Sequence, residues 1–98
     1  MNRGEVWAYK SLTRTRSVVV VSTDSLNELG EPLVVDVTPS GPTGPTALLS
    51  VELPDGLGFA RCRRIDTASP DRFAERVAVL PPDVMEQVDV ALRAVLDL

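Results

Sequence analysis

The sequence predicts a mainly β fold: a small, strongly curved β-barrel with one helix packed against it. Three observations carry this. Short segments alternate in polarity or are β-branched throughout, Gly and Pro break the chain between them, and a single amphipathic stripe closes it. A period of two marks strands and a period of 3.6 marks a helix, and the switch between them falls near residue 82.

Residues 5–10 alternate Val6 and Ala8 against Trp7 and Tyr9, as a strand does. Residues 17–22, Ser-Val-Val-Val-Val-Ser, are apolar on both faces, which predicts a central, buried strand. Residues 23–30 read as a turn with one helical turn in it, stopped by Gly30 and Pro32. Residues 33–38 form a third strand with Leu33, Val35 and Val37 on one face and Asp36 and Thr38 neighbours on the other. Residues 39–45 hold three prolines and two glycines, and so predict an exposed loop.

A strand over 48–53 follows, with Leu49, Val51 and Leu53 inward, then a turn at Pro54-Asp-Gly56. Residues 58–65 form a further strand that carries Arg61 and Arg63 on one face. Ser69-Pro70 opens a capped helical turn, and extended chain resumes over 75–80. From Pro82 the chain is helical: Val84, Val88, Ala91, Leu92, Val95 and Leu96 make one apolar stripe, widened by Met85.

The chain has 98 residues, 44% of them apolar and 24% charged, proportions of one globular domain spanning 1–98. Histidine is absent, which removes the commonest general base and the imidazole metal ligands. The lone cysteine, Cys62, cannot form an internal disulfide and reads as a buried structural thiol. The apolar run at 18–21 is far short of the roughly 20 residues of a membrane span, and the cytoplasm is the expected compartment. Formal net charge is −4, but residues 1–16 carry +3, with Arg61, Arg63 and Arg64 forming a second basic cluster. If the fold joins the two, an otherwise acidic protein gains a local polyanion site.

Three segments, residues 2–7, 16–22 and 34–38, in order along nearly the whole chain, resemble the MazF/PemK family of bacterial toxin endoribonucleases. Asn2-Arg-Gly-Glu-Val-Trp7 resembles that family's opening "RGE(V/I)W" strand. Arg16-Ser-Val-Val-Val-Val-Ser22 is similar to its "RPVVVVS", with Asp24 and Asn27 at its "D..N" spacing. Val34-Val-Asp-Val-Thr38 resembles the strand that ends in a catalytic Thr or Ser, and Arg63-Arg-Ile-Asp66 the end of "DQIRTID".

The resemblance implies an SH3-like barrel of the plasmid-maintenance toxin type, a symmetric homodimer and a MazE-like antitoxin partner. It also implies cofactor-free, metal-independent cleavage of single-stranded RNA, leaving 2′,3′-cyclic phosphate and 5′-hydroxyl ends. Its catalytic Arg and Thr carry over to Arg16 and Thr38.

Arg16 suits a developing phosphate oxyanion through its permanent charge and fork of donors, and Thr38 can bond a phosphate oxygen or orient the 2′-hydroxyl. The segment before Arg16, Lys10-Ser-Leu-Thr-Arg-Thr15, is short and lacks the acid of the family's loop, and Ser17 replaces its proline. Asp36, two residues from Thr38, is therefore a candidate base or orienter. Arg14, Ser17, Arg61 and Arg63 are candidate RNA contacts, and Trp7 and Tyr9 are aromatic candidates for base stacking or core. A gyrase-binding toxin like CcdB and a non-catalytic SH3-like binding module are the alternatives. CcdB's activity needs a Trp near the C-terminus, where this chain reads Val95-Leu-Asp-Leu98.

Overall fold

The computed structural model describes residues 1–41 and 43–98, and Pro42, within the expected loop, lies outside the described residues. Six strands run β1 (Glu5–Lys10), β2 (Thr15–Val20), β3 (Leu33–Thr38), β4 (Ser50–Leu53), β5 (Gly58–Thr67) and β6 (Phe73–Val79). Helix α1 (Asp24–Glu28) follows β2, and α2 (Pro82–Leu96) ends the fold. The strands form one antiparallel sheet in the order β4-β5-β3-β2-β1-β6. Its centre is the apolar β2–β3 pair, and Val18, Val19 and Val20 are fully buried.

Alternation along these strands divides the core in two. Val6, Val19, Val35, Val37, Ala60 and Cys62 face Val84, Met85, Val88 and Ala91 of α2. Burying the valine and methionine side chains at about 1.5–3 kcal/mol each holds the helix to the sheet. The opposite face carries a smaller cluster of Tyr9, Val18, Val20 and Val34, with Trp7 and Phe73 against it. Towards one end this second face turns polar.

The Arg-Gly-Glu stretch before β1 serves the frame. Arg3 bonds Asp89 of α2 through its guanidinium and Asp24 Oδ1 through its backbone N–H at 2.9 Å. Gly4 has φ +90°, and a Cβ there would press on Met85 Cγ at 3.3 Å. Glu5 accepts from the Asn2 N–H at 2.8 Å, the Trp7 indole at 3.0 Å and Arg76 at 3.2 Å. The "D..N" pair is also structural: buried Asn27 donates to Asp24 Oδ1 at 3.3 Å and accepts from the Ser22 hydroxyl.

Four expectations shift. The second strand covers 15–20 instead of 17–22, because Ser22 leaves the ladder and its Oγ accepts the Leu33 N–H at 3.0 Å. The strand expected over 48–53 begins at Ser50; Pro45–Leu49 is a 3-10 turn launched from Gly44 at φ +77°, with Pro45 at its start. The turn at Pro70–Arg72 is three residues long and Ser69 makes no side-chain cap, so β6 starts at Phe73. Leu96, expected in the helix stripe, is 54% exposed at the last residue of α2.

Candidate active site

The polar end of the open face is assembled from three adjacent strands. Pairing of β2 with β3 sets Val18 opposite Asp36 and Ser17 opposite Val37, which brings Arg16 across from Thr38. Pairing of β3 with β5 sets Asp36 opposite Arg61 and Thr38 opposite Phe59. The result is a cleft of about 430 Å³ whose lining includes Arg14, Arg16, Ser17, Asp36, Thr38 and Arg61. The two basic segments of the sequence therefore do meet.

Arg16 is held on two sides. Its Nη1 donates to Asp36 Oδ1 at 2.9 Å, and its guanidinium carbon lies 5.7 Å from the Tyr9 ring centroid, a cation–π placement. Tyr9 is itself fixed: its hydroxyl accepts the Ser69 N–H at 3.0 Å and Phe73 packs edge-on at 5.3 Å. Arg16 Nε is buried and has no hydrogen-bond partner among the described residues.

Asp36 is only 8% exposed, so a solvent-facing carboxylate is excluded. Its second oxygen faces Arg61 Nη1 at 3.8 Å. It is the one carboxylate among the described residues lining this cleft, and both its oxygens are turned to guanidinium groups. That geometry suits an orienter of Arg16 better than a base. Thr38 Oγ1 accepts a long bond from the Ser40 N–H at 3.4 Å, which leaves its own O–H free to donate. Gly58 supports it from β5: at φ +112°, a Cβ there would overlap the Thr38 carbonyl oxygen.

Arg14 is exposed at the cleft and Ser17 lines it. Arg63 lies outside this cleft and lines a second cavity beside it. Tyr9 is buried beneath Arg16, so of its two readings, base stacking or core, it takes the core one; its alternation with Val6 and Ala8 was the signal for its face. Trp7 is half-buried, bonded to Glu5 and packed edge-on to Phe73 at 5.6 Å. Cys62 is fully buried, and burial pushes its thiol pKa up to about 11, as expected of a structural thiol. Among the described residues, no three His, Cys, Asp or Glu side chains group to hold a metal ion, and no helix is long and apolar enough to cross a membrane.

An antiparallel sheet backed by a C-terminal helix, with Arg16 and Thr38 lining one cleft on its open face, defines a small, mainly β protein with a cationic, hydroxyl-bearing cleft. Residues 2–96 match the family described as PemK-like, MazF-like toxin of type II toxin-antitoxin system, and the chain belongs to that family. Among solved structures, it is similar to an endoribonuclease in complex with its cognate antitoxin from a mycobacterial species. That match has TM-score 0.89 and 20% identity, over 100% of this chain and 96% of the other. MazF in a MazE–MazF complex from Deinococcus radiodurans matches with TM-score 0.83 and 24% identity, over 98% and 94% of the two chains. The Mycobacterium tuberculosis toxin MazF-mt6 matches with TM-score 0.73 and 14% identity, over 96% and 97%. Comparison with curated protein sequences finds no match.

Proposed function

We propose that this toxin is an endoribonuclease that cuts single-stranded RNA in the cleft between β2, β3 and β5, with Arg16 and Thr38 as its catalytic residues. The observation that carries the reading is the convergence of the Arg16 side chain and Thr38 on one open cleft. Support comes from the family and from similar structures described as endoribonucleases.

In this mechanism the ribose 2′-oxygen attacks the adjacent phosphorus. The O2′–P bond forms, the P–O5′ bond breaks, and the products are a 2′,3′-cyclic phosphate and a 5′-hydroxyl. The 2′-hydroxyl proton leaves to solvent and the departing 5′-oxygen takes one from solvent. Charge grows on the nonbridging oxygens, where the Arg16 guanidinium and the Thr38 hydroxyl receive it. A guanidinium carries a permanent charge and gives up its proton poorly, so Arg16 acts as an electrostatic stabiliser instead of a proton donor. Asp36 and Tyr9 hold that guanidinium in place, Arg61 adds positive charge at the cleft wall, and Arg14 and Ser17 contact the flanking strand.

Family membership also supports a homodimer working in the cytoplasm and a MazE-like antitoxin that silences it. The test is incubation of the purified protein with mixed-sequence RNA in excess EDTA. Cleavage with cyclic-phosphate ends, abolished in Arg16→Ala, is expected. Intact RNA, or products with 5′-phosphate ends, would overturn the proposal; intact RNA with stalled gyrase would favour the CcdB-like reading.

A further inference from the structure

Strand β5 contains an irregularity that the cleavage chemistry leaves unexplained. Its pairing with β3 runs Leu33–Thr67, Val34–Asp66, Val35–Ile65, then jumps to Asp36–Arg61, leaving residues 62–64 without partners in that ladder. In a regular strand, successive side chains point to opposite faces, and one of Arg63 and Arg64 would be driven towards the helix-covered core. The bulge removes that conflict. Cys62 is fully buried, while Arg63 and Arg64 are both exposed and both line one cavity.

That cavity, of about 250 Å³, adjoins the cleft, because Thr38 and Arg61 line both. Besides its three arginines it is lined by the hydroxyl residues Thr38, Ser40, Thr43 and Ser50, with no carboxylate among the described lining residues. Arg63 and Arg64 form no ion pair within 4.0 Å among the described residues, and Arg61 reaches only Asp36 at 3.8 Å. On a chain of formal charge −4, unpaired guanidinium groups ringed by hydroxyls make a site for an anion with several acceptor oxygens.

We propose that the bulge builds a second phosphate subsite, in which Arg63 and Arg64 hold a neighbouring phosphodiester of the RNA strand whose scissile phosphate lies at Arg16 and Thr38. The inference rests on the endoribonuclease reading and extends it. The preferred substrate is a strand with at least one further phosphate beyond the scissile linkage, and a dinucleotide leaves the subsite empty. Because both side chains are solvent-exposed, their removal leaves the fold intact, which circular dichroism checks.

The test compares wild type with Arg63→Ala and Arg64→Ala on an RNA containing a mapped cut site, presented as an eight-nucleotide strand and as the bare dinucleotide. Each variant should raise KM on the long strand about tenfold, leave kcat unchanged, and match wild type on the dinucleotide. The salt dependence of binding should lose about one unit of slope per arginine removed. Equal losses on both substrates, or no loss on the long one, would overturn the subsite. Fluorescence anisotropy with a labelled eight-nucleotide RNA reads it without turnover. A wild type that binds but never cuts counts against the nuclease reading, whereas equal affinity of wild type and Arg64→Ala counts against the subsite.

Discussion

Replacing Asp36 by Asn separates an orienter from a base. The carboxylate and Arg16 side chains are 10% and 23% exposed, and they meet at 2.9 Å. Two opposite charges at that range attract by several kcal/mol at an effective dielectric near 20, most of it offset by the desolvation of both. Breaking a buried pair from one side costs about 3–5 kcal/mol, and residual hydration of Arg16 lowers this to about 2–3 kcal/mol. For a domain of this size that is a fall in Tm of about 10–20 °C.

Below that temperature the variant is folded but its guanidinium has lost one of its two restraints. A misplacement near 1 Å costs up to about 100-fold in rate, so kcat should fall about 10- to 100-fold. KM should hold or drop, because a negative charge has left an anion cleft. The assay is steady-state cleavage of a fluorogenic RNA across pH, paired with thermal unfolding. The shape of the kcat/KM profile should be retained. Loss of its acidic limb would show that Asp36 takes the proton, and an unchanged kcat would show that the ion pair positions nothing; either result refutes the reasoning.

The Gly58→Ala variant should unfold earlier and cut more slowly, since its Cβ displaces the Thr38 backbone; a fully active enzyme would show that Thr38 placement is not limiting. Burial raises the Glu5 pKa, but the Asn2 N–H, the Trp7 indole, Arg76 and the amino terminus outweigh it and hold the group below its ordinary 4.5. A depressed folded pKa means stability that is present above pH 4.5 and lost as pH falls through the folded value. Glu5→Gln should therefore be less stable at pH 7 by about 1–3 kcal/mol, with the gap closing in acid, in urea titrations at both pH values. With its thiol pushed up to about 11 and its side chain buried, Cys62 should stay inert to Ellman's reagent at pH 8 until denaturant is added.

The sheet and helix were legible because each is written in local polarity: the alternation at 5–10, the valine run of β2 and the stripe on α2. Arg16 and Thr38 were legible through the family's motifs, and their register across β2 and β3 follows from pairing those two strands. The burial of Asp36 was not, because it depends on guanidinium groups arriving from β2 and β5, strands remote in the chain. Neither was the use of Tyr9 as a support for Arg16, since alternation assigns a face but not what else occupies it. The β5 bulge was hidden for a related reason. Nothing within Cys62-Arg-Arg64 breaks a strand, and the irregularity shows only in the register of β5 against β3.

A crystal structure with a bound RNA carrying a 2′-deoxyribose at the cut site, and so unable to react, addresses the central claim most directly. The account predicts the scissile phosphate between the two strands, with one nonbridging oxygen in hydrogen-bond range of the Arg16 guanidinium and the Thr38 hydroxyl on the same group. A phosphate seated elsewhere, with Arg16 still turned only to Asp36, would contradict it.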